Sequence, residues 1–487
     1  MYPGSDFDNE WRSLVFPSDY SNPTPDPDGY NLLVIGAGPA GLIVAIAAAG
    51  LGAKVALIER HAMGGDCLNV GCVPSKALIN MASRKTAGEA VSFDQAMSWV
   101  REVRAGIAHH DSVERYSDNG VDVFLGEASF IDERSVAVGD TKLTAAKIVI
   151  TTGARAALPP IPGLADAGAL TNETVFDLKA QPKRLGVIGA GPIGCELAQS
   201  FARLGSEVHV FEMAERPIPL EAEEAGLLLA EQLKKDGVHL HLGTAANGIH
   251  KRGDVRVIET ADGDIEVDEV LVALGRKPNI ESLNLDAAGV DSDPRKGIVV
   301  SERLQTSNSR IYAAGDVCSK YQFTNNADHQ ARIIIRNTLF FGRGAPSNER
   351  IARCTYTHPE VAHVGFEEAD LAKDGVATDT YEVKWDEMDR ARTEGDTQGF
   401  VRVLTAAGSD KILSATLVGS DAGEQLATLA VLVANGKGLG DLDAAVLPYP
   451  TRSEYLRRLA DQYNRTKLTP FVANLFKKIL SWQRKRS

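Results

Sequence analysis

A short run of consecutive apolar residues followed by a glycine-rich turn occurs twice in the chain. The two runs are Leu32–Ile35 and Leu185–Ile188. Apolar runs of this length, bounded by turn residues, are typical of strands buried on both faces of a parallel sheet. An apolar helical segment and a second apolar strand follow each turn, so the pattern predicts two copies of a β-α-β unit.

The glycines in the two turns have the same G-x-G-x-x-G spacing. They are Gly36, Gly38 and Gly41 in the first copy and Gly189, Gly191 and Gly194 in the second. The first glycine makes the tight turn, the second lets a pyrophosphate approach the backbone, and the third allows close helix–strand packing. Glu59 and Glu212 stand 23 positions after the first glycine of their copies, where a carboxylate accepts hydrogen bonds from a ribose diol. Two dinucleotide sites are therefore predicted, the alternative being glycine-rich turns that bind no ligand.

Three later segments predict further strands of the same kind of sheet. They are Lys147–Ala154, Glu269–Gly275 and Ile311–Asp316, and the last ends in an acid where ligands lie in such sheets. From about residue 348 the pattern changes to alternating strands and two helices without a glycine-rich phosphate loop. That part predicts an α+β interface domain.

The fold prediction is an α/β protein with two Rossmann-like doubly wound dinucleotide-binding domains and a C-terminal α+β domain. The expected boundaries are 1–29 for an N-terminal extension, 30–158 for the first domain, 159–284 for the second, 285–347 for a return to the first, and 348–487 for the last domain with its basic tail.

Charge and composition exclude several classes of protein. The net charge of −13 argues against a general nucleic-acid partner. Five cysteines in 487 residues are too few, and odd in number, for a secreted disulfide framework. The acidic, proline-rich residues 1–30 lack the apolar core of a signal peptide, and no segment is apolar enough to span a membrane. We therefore expect a cytoplasmic protein.

Cys67 and Cys72 carry the candidate redox chemistry. They lie in a run bounded by glycine and proline, and Lys76 follows Cys72 by four residues, on the same face of a helix. A nearby cation and a helix N-terminus favour the reactive thiolate. The pair predicts a redox-active disulfide, the alternative being two structural thiols. The other cysteines are expected to be structural, and the histidines predict no metal site.

These motifs resemble those of the class I flavoprotein disulfide reductases, the group of dihydrolipoamide dehydrogenase, glutathione reductase and mercuric reductase. The resemblance extends from Tyr30 to about Tyr463. Its most specific motif is Gly64–Lys76, and Ala313–Asp316, Tyr356–Glu360 and Pro450–Glu454 support it. It implies an FAD domain, an NAD(P) domain, a return to the FAD domain and a dimerisation domain.

The resemblance also implies residue roles. Cys72 would lie against the flavin, Cys67 would exchange with substrate, and Lys76 would pair with Glu196 near flavin N5. The residues expected to bind FAD are Gly36, Gly38, Gly41, Glu59, Arg60, Gly65, Gly126, Gly153 and Asp316, and those expected to bind NAD are Gly189, Gly191, Gly194, Glu212 and Gly275. Glu212 would repel a 2′-phosphate, so NADH is expected over NADPH.

Tyr449 stands where these reductases usually carry the histidine of a His–Glu proton-exchanging pair, and Glu454 supplies the acid. Tyrosine, with an ordinary pKa of about 10, is a poor base at neutral pH. Mercuric reductases also have tyrosine in this region, but they use a C-terminal cysteine pair, and no cysteine follows Cys354 here. Tyr449 has an alternative interpretation as a plain interface residue.

The sequence thus predicts a homodimeric FAD enzyme that passes electrons from NADH through Cys67 and Cys72, at an active site shared between subunits. The acceptor would be a small disulfide, a thiol-bound metal ion or another electrophile. An NAD(P)H oxidase or transhydrogenase, and a non-enzymatic redox sensor, are the alternatives. The basic, amphipathic tail from Lys467 is expected to dock on the dimer, the alternative being weak contact with an anionic membrane surface.

Overall fold

A computed structural model describes residues 5–347 and 351–485. They form two compact units. The first contains the described residues up to Pro217 together with Leu233–Pro346, and the second contains Ile218–Gln232 and the described residues from Ser347 onward. The predicted α/β architecture, with two nucleotide-binding folds and a C-terminal α+β domain, is confirmed.

The first nucleotide-binding fold contains one large sheet and the helices that cover it. Its strands pair in the order β3-β2-β1-β6-β5-β4, with parallel pairing from β3 to β6 and antiparallel pairing beyond. The elements are α1 (Asp6–Val15), β1 (Tyr30–Ile35), α2 (Pro39–Gly50), β2 (Val55–Glu59), α3 (Gly65–Asn69), α4 (Cys72–Thr86), α5 (Phe93–Ala108), α6 (Val113–Asp118), β3 (Val121–Leu125), β4 (Ala128–Asp132), β5 (Ser135–Val138) and β6 (Thr141–Ile150).

Strand β1 lies at the centre of this sheet, which explains its continuous apolar run. Leu33 is aligned with Ala56 of β2 on one side and with Ile148 of β6 on the other. Neighbouring residues of β1 contribute to different core clusters on the two faces, and none of Leu32, Leu33 and Val34 is exposed. A strand covered on both faces needs apolar side chains at successive positions.

The N-terminal extension is part of this fold rather than a separate tail. Helix α1 starts at a capping box formed by Ser5 and Asp8, packs against α5, and buries Trp11 and Val15 in the core. The segment after it is fixed by Tyr20, whose hydroxyl donates to the carbonyl of Val123 in β3 (2.8 Å). Residue 30 therefore marks where the first nucleotide-binding motif begins in the sequence. The folding unit itself also includes the residues before it.

The second nucleotide-binding fold has a four-stranded parallel sheet in the order β10-β9-β8-β14. A three-stranded antiparallel meander, β11-β12-β13, packs on one face through Ile258 and Val267. The elements are β7 (Ala154–Ala156), α7 (Leu164–Ala167), β8 (Arg184–Ile188), α8 (Pro192–Leu204), β9 (Glu207–Glu212), β10 (Val238–Leu242), β11 (Gly248–Arg252), β12 (Val255–Thr260), β13 (Gly263–Val267) and β14 (Glu269–Val272). Between β9 and β10 lies α9 (Glu223–Lys235), most of which belongs to the second unit.

The chain then returns to the first sheet. Strand β15 (Arg276–Pro278) pairs with β7, and β16 (Ser292–Asp293) pairs with β17 (Gly297–Ile298). Strand β18 (Ile311–Ala313) adds in parallel to β6, with Ala313 aligned with Ile150. Helix α10 (Thr324–Leu339) follows and packs against α2.

The second unit is built on a five-stranded antiparallel sheet in the order β19-β20-β23-β22-β21. Leu426 and Leu459, from two of its helices, lie in its core with Val401 and Leu417 of the sheet. The elements are β19 (Ala352–Thr355), β20 (Glu360–Gly365), α11 (Glu368–Lys373), β21 (Thr378–Lys384), α12 (Asp389–Glu394), β22 (Phe400–Ala406), β23 (Ile412–Gly419), α13 (Ala422–Ala434), α14 (Tyr455–Thr466) and α15 (Pro470–Arg484).

One feature of this unit was not predicted. The segment Ile218–Gln232 joins it through Glu221, whose carboxylate receives two hydrogen bonds from Arg353 (2.7 and 3.0 Å). Helix α15 forms the tail, and none of its side chains is buried within the described chain. Over the ranges that the structure describes, no helix has the length and apolar character needed to cross a bilayer.

Candidate active site

The residues Gly64–Lys76, called the redox loop below, bring the two predicted cysteines together. Cys67 lies in the short helix α3, and Cys72 is the first residue of α4. Between them the amide of Val70 donates to the carbonyl of Asp66 (2.9 Å), which closes a tight turn. The two cysteines form no disulfide in this structure, and each side chain shifts the pKa of the other.

The two thiols have opposite acidities. The hydrogen bond from Cys67 lowers the pKa of Cys72 to about 6, and Thr324 and the charge of Lys76 lower it further against the effect of burial. Thr324 Oγ1 lies 3.4 Å from Cys72 Sγ. The same hydrogen bond, together with burial, raises the pKa of Cys67. At neutral pH the reduced pair therefore consists of a Cys72 thiolate and a Cys67 thiol, and the N-terminus of α4 also favours the negative charge on Cys72.

Lys76 and Glu196 form an ion pair beneath this thiolate. Lys76 Nζ lies 2.8 Å from Glu196 Oε2, and the glutamate side chain is buried whereas the lysine side chain is about one-third exposed. The pair connects α4 with α8, and these helices pack along their length. It fixes the ammonium group close enough to Cys72 to stabilise its negative charge.

The first glycine-rich turn has the geometry of a dinucleotide site. A side chain at Gly41 would place its Cβ 1.9 Å from the carbonyl oxygen of Gly36, so only glycine permits this approach of α2 to β1. Gly38 caps α2, and no side chain of the described residues caps that end. Glu59 accepts hydrogen bonds from the amides of Ala37 and His61, both 2.8 Å long.

The second turn repeats these contacts almost atom for atom. A Cβ at Gly194 would lie 2.0 Å from the carbonyl oxygen of Gly189, and Gly191 caps α8 without help from any described side chain. Glu212 accepts from the amides of Ala190 (2.8 Å) and Ala214 (2.9 Å). Both copies therefore hold a carboxylate rigidly at a strand end while keeping the helix N-terminus open for phosphate.

These cradles fit the two dinucleotides that the sequence predicts. Each uncapped helix N-terminus offers backbone N–H groups and a partial positive charge to a pyrophosphate. Each fixed glutamate has lone pairs left for a ribose diol. In the first cradle Gly65 would place a Cβ only 2.6 Å from Gly38 Cα, so the redox loop lies directly against the phosphate turn.

Asp316, predicted to bind the flavin side, is joined to the redox loop by a residue that the sequence did not indicate. Arg276 Nε lies 3.2 Å from Asp316 Oδ2, and the same guanidinium donates to Asp66. Burial raises the pKa of Asp316, and Arg276 opposes that rise. Arg276 therefore links the loop before Cys67 to the end of β18.

The remaining predicted cofactor residues differ in what the structure shows of them. Gly126, Gly153 and Gly275 all have positive φ angles, of 153°, 66° and 108°, and the amide of Gly126 also donates to the carbonyl of Glu59 (2.8 Å). Arg60 is exposed and lies 3.6 Å from the carboxylate of Glu127. The three glycines lie at the edges of the nucleotide-binding folds. In contrast, the contact of Arg60 with Glu127 lies at the surface.

Tyr449 and Glu454 belong to the second unit. The exposed hydroxyl of Tyr449 donates to Asp389 Oδ2 (2.6 Å), and this hydrogen bond raises the pKa of Tyr449 above its ordinary value. Glu454 pairs with Arg458 (2.8 Å). Tyr449 is therefore a hydrogen-bond donor at neutral pH and not a base.

Asn69 is a second residue that sequence reasoning missed. Its side-chain amide donates to the carbonyls of Gly65 (2.8 Å) and Met63 (3.1 Å), so it fixes the redox loop from inside. The i, i+4 spacing of Trp11 and Val15 could have predicted the helix that packs on this asparagine.

Comparison with known proteins identifies the family. Residues 30–331 match the family described as pyridine nucleotide-disulphide oxidoreductase, and residues 351–460 match its dimerisation domain. A mercuric reductase of Staphylococcus aureus is 34% identical over 447 residues, which cover 88% of this chain and 82% of the relative. Dihydrolipoyl dehydrogenase 3 of Haloarcula marismortui is 30% identical over 462 residues, covering 88% of this chain and 95% of the relative.

The fold is also shared with solved structures. The Cu(II) complex of the HOCl-induced flavoprotein disulfide reductase RclA from Escherichia coli has a TM-score of 0.81 and 29% identity, covering 88% of this chain and 99% of that one. LpdA from Mycobacterium tuberculosis has a TM-score of 0.82 and 26% identity, covering 89% and 99%. The chain therefore belongs to the pyridine nucleotide-disulphide oxidoreductase family, as an oxidoreductase that uses FAD and a pyridine nucleotide.

Proposed function

We propose that the enzyme transfers two electrons from NADH through the Cys67–Cys72 disulfide to a small sulfur-bound electrophile, either a disulfide or a thiol-bound metal ion. The unequal acidity of the two thiols carries this proposal. One hydride equivalent, which is an electron pair and a proton, breaks the S–S bond. Cys72 then becomes a thiolate, and Cys67 takes the proton and becomes a thiol. Bound FAD would supply the two-electron relay between the nicotinamide and the disulfide.

Cys67 is the thiol that we assign to the acceptor. It becomes nucleophilic when its proton passes along the hydrogen bond to Cys72, so the pair can exchange without an external base. Lys76, held by Glu196, keeps Cys72 anionic in the resting reduced state. Cys67→Ala would then abolish acceptor reduction.

Tyr449 supports the direction of turnover. Oxidation of an external dithiol requires a base to remove protons, and the raised pKa of Tyr449 denies it that role. Reduction of an acceptor needs only a donor at the leaving group, which a tyrosine hydroxyl provides. The relatives named mercuric reductase support a thiol-bound metal ion, and those named dihydrolipoyl dehydrogenase support a disulfide.

The test of the acceptor is a panel assayed with the FAD-loaded enzyme. Lipoamide, glutathione disulfide, coenzyme A disulfide, thiol-bound Hg(II) and quinones are compared, each with NADH and NADPH. We expect turnover with a disulfide or with Hg(II), and loss of that turnover in Cys67→Ala. Turnover of Cys67→Ala with O2 or a nicotinamide analogue at the wild-type rate would instead indicate an oxidase or transhydrogenase. Negligible turnover across the panel would indicate a redox sensor.

The position of Cys72 next to the flavin has a spectroscopic test. A thiolate against an oxidised flavin gives a long-wavelength absorption band in the two-electron-reduced enzyme. The band is expected in the two-electron-reduced wild type and in oxidised Cys67→Ser, where Cys72 is a thiolate without any reduction, and it is expected to be absent in Cys72→Ser. A band that persists in Cys72→Ser contradicts the assignment.

We propose NADH as the preferred donor. The amides of Ala190 and Ala214 fix the carboxylate of Glu212 at the position of the ribose. This negative charge would repel the 2′-phosphate of NADPH. The value of kcat/KM for NADH should exceed that for NADPH, and Glu212→Ala should narrow the ratio. A higher kcat/KM for NADPH in the wild type overturns this preference.

We further propose that the homodimer shares its active sites, with Tyr449 and Glu454 of one subunit serving Cys67 of the other. The family's dimerisation domain supports this arrangement. Mixed dimers test it: Cys72→Ser and Glu454→Ala subunits, each inactive alone, should form heterodimers with one intact site. Recovered activity on mixing supports sharing between subunits, and none contradicts it.

We propose a cytoplasmic location, which the small and odd number of cysteines supports. For the tail we propose docking on the dimer. The alternative is contact with an anionic membrane, which would use the basic residues and the exposed large apolar side chains of α15, namely Phe471, Leu475, Phe476, Ile479, Leu480 and Trp482. Sedimentation with phosphatidylserine vesicles separates the two, because only membrane contact predicts binding that is lost when residues 467–487 are deleted.

A further inference from the structure

Three histidines are stacked on one face of the second nucleotide-binding sheet. Strands β9 and β10 are parallel and in register, with His209 aligned with His239 and Phe211 with His241. Because side chains alternate along a strand, all four rings project from the same face. The ring centroids of Phe211 and His241 are 4.7 Å apart, those of His241 and His209 5.4 Å, and those of His209 and His239 4.6 Å.

Glu207 completes this group from the same face of β9. One ligand atom each from Glu207, His209 and His239 lies within 4.8 Å of the other two. A single tetrahedral Zn²⁺ holds its nitrogen ligands at about 2.0–2.1 Å, which sets them about 3.4 Å apart. Small rotations about side-chain bonds would therefore bring the three atoms onto one ion.

The contacts of His209 are compatible with the tautomer that a metal ligand requires. Its Nε2 lies 3.2 Å from Glu207 Oε1, on the side of the carboxylate, and its Nδ1 lies 3.1 Å from His241 Nε2. Without an ion, Nε2 can donate to the Glu207 carboxylate. With an ion between Nε2 and Glu207, the proton of His209 would lie on Nδ1 and be donated to His241. A ligating histidine usually donates its other ring N–H in this way, which fixes the tautomer and the ring orientation.

We propose that Glu207, His209 and His239 form a binding site for a late first-row divalent cation such as Zn²⁺ or Cu²⁺, with His241 as a positioning residue. Two imidazoles and one carboxylate are ligands that these ions accept, and a three-ligand set leaves a further position for water. The site would stabilise the second nucleotide-binding fold by linking two adjacent strands.

The surrounding charges are compatible with a cation. Arg184 is aligned with Glu207 across the β8–β9 pair, but its guanidinium is engaged by Asp268 (2.8 Å) and Glu266 (3.7 Å). Asp262 adds negative charge on the side of His241. One other group of potential ligands is found among the described residues, Glu221 with His363 and Glu367, but Arg353 already pairs with both of its carboxylates.

The site lies apart from the nucleotide cradle on the same strand. Glu207 begins β9 and Glu212 ends it, and five residues of extended chain span about 16 Å. Metal binding at Glu207 therefore leaves the ribose carboxylate untouched. The KM for NADH should be the same in the wild type and in a variant of the metal ligands.

The test is a Zn²⁺ titration of the FAD-loaded enzyme with the Cys67–Cys72 disulfide oxidised, in competition with a chromophoric chelator. Oxidation removes the redox thiols as competing ligands. We expect one ion per chain, an affinity weakened about 10–100-fold in His241→Phe, and a larger loss in His239→Ala. His250→Ala is the matched control, because His250 is an exposed histidine paired with Glu259 outside the stack, and it should bind like the wild type.

The same proteins loaded with Cu²⁺ give an independent measurement. The electron paramagnetic resonance spectrum should show coupling to two imidazole nitrogens in the wild type and to one in His239→Ala. Equal FAD content and equal melting temperature without metal show that each variant is folded. No binding by the wild type, or equal binding by wild type, His239→Ala and Glu207→Gln, overturns the proposal.

Discussion

The indole Nε1 of Trp11 donates a hydrogen bond to Asn69 Oδ1 across 2.7 Å, in the buried core of the first unit. Asn69 uses its two amide protons to hold the carbonyls of Met63 and Gly65, which flank the start of the redox loop. The N-terminal helix is thus connected through one asparagine to the segment that carries Cys67. This contact predicts that changes in α1 affect the redox loop as well as stability.

Replacing Trp11 with phenylalanine should destabilise the protein by about 1–3 kcal/mol, because it leaves Asn69 Oδ1 buried without its donor. The free energy of unfolding in urea measures the loss. Trp99→Phe is the matched control, since Trp99 is about one-third exposed on α5, and it should change stability by less than about 0.5 kcal/mol. Equal effects of the two substitutions would contradict the assigned role of the Trp11–Asn69 bond.

Arg104→Met should be more damaging than any substitution in a surface ion pair. Arg104 lies 2.7 Å from Asp8, both side chains are buried, and the guanidinium also stacks on the Trp11 ring. Without Arg104, Asp8 keeps only its longer contact with Arg101 (3.6 Å), and loss of one partner of a buried pair costs about 3–5 kcal/mol. Arg84→Met is the control: its pair with Glu89 is half exposed on both sides, and a loss of at most about 1 kcal/mol is expected. Urea unfolding of both variants checks the difference.

The parts of the site that residue spacing predicted are those set by local backbone geometry, whereas the Lys76–Glu196 pair, 120 positions apart, was expected only from the family resemblance. Gly41 and Gly194 are required by contacts with residues five positions earlier, and Glu59 and Glu212 by amides 22 positions earlier, within one β-α-β unit. The glycines and the glutamate that define such a unit all lie within it, so the second copy could be recognised from the sequence. The succession of the two nucleotide folds and the last domain followed from the same local patterns.

The residues that were missed are placed by pairings between distant parts of the chain. Arg276 reaches Asp66 across 210 positions, and Thr324 reaches Cys72 across 252. No periodicity or spacing reports such contacts, because they depend on where two sheets and their loops meet. His239 and His241 are a different case, since their alternation on one strand was visible but their alignment with His209 was not.

Thr324→Val should raise the pKa of Cys72. The hydroxyl of Thr324 hydrogen-bonds the sulfur and helps to keep its pKa near 6. In the wild type the thiolate is present above about pH 6 and is lost as the pH falls through that value, so the variant should lose it at higher pH. The pH dependence of iodoacetamide alkylation of the reduced enzyme measures the midpoint. Thr338→Val is the control, because its hydroxyl bonds only to carbonyls within α10, and its midpoint should match the wild type.

Lys76 and Glu196 should shift the same midpoint in opposite directions. The charge of Lys76 lowers the pKa of Cys72 and that of Glu196 raises it, although the two residues form one ion pair. Lys76→Met therefore moves the loss of the thiolate to higher pH, and Glu196→Gln moves it to lower pH. If the ion pair only held α4 against α8, both variants would shift the midpoint in the same direction, or they would lose stability without any shift of the midpoint.

The control for this last pair is Lys85→Met, which removes a cation from the far end of α4, where its ammonium donates to the carbonyl of Leu204. It breaks another contact between α4 and α8 but lies more than two helical turns from Cys72, so the midpoint should stay near pH 6. Alkylation profiles and the long-wavelength absorption band are recorded on the same samples of the three variants. Together they distinguish the effect of the nearby charge on Cys72 from the effect of helix packing. Opposite shifts for Lys76→Met and Glu196→Gln, with no shift for Lys85→Met, identify the ion pair as the element that sets the acidity of Cys72.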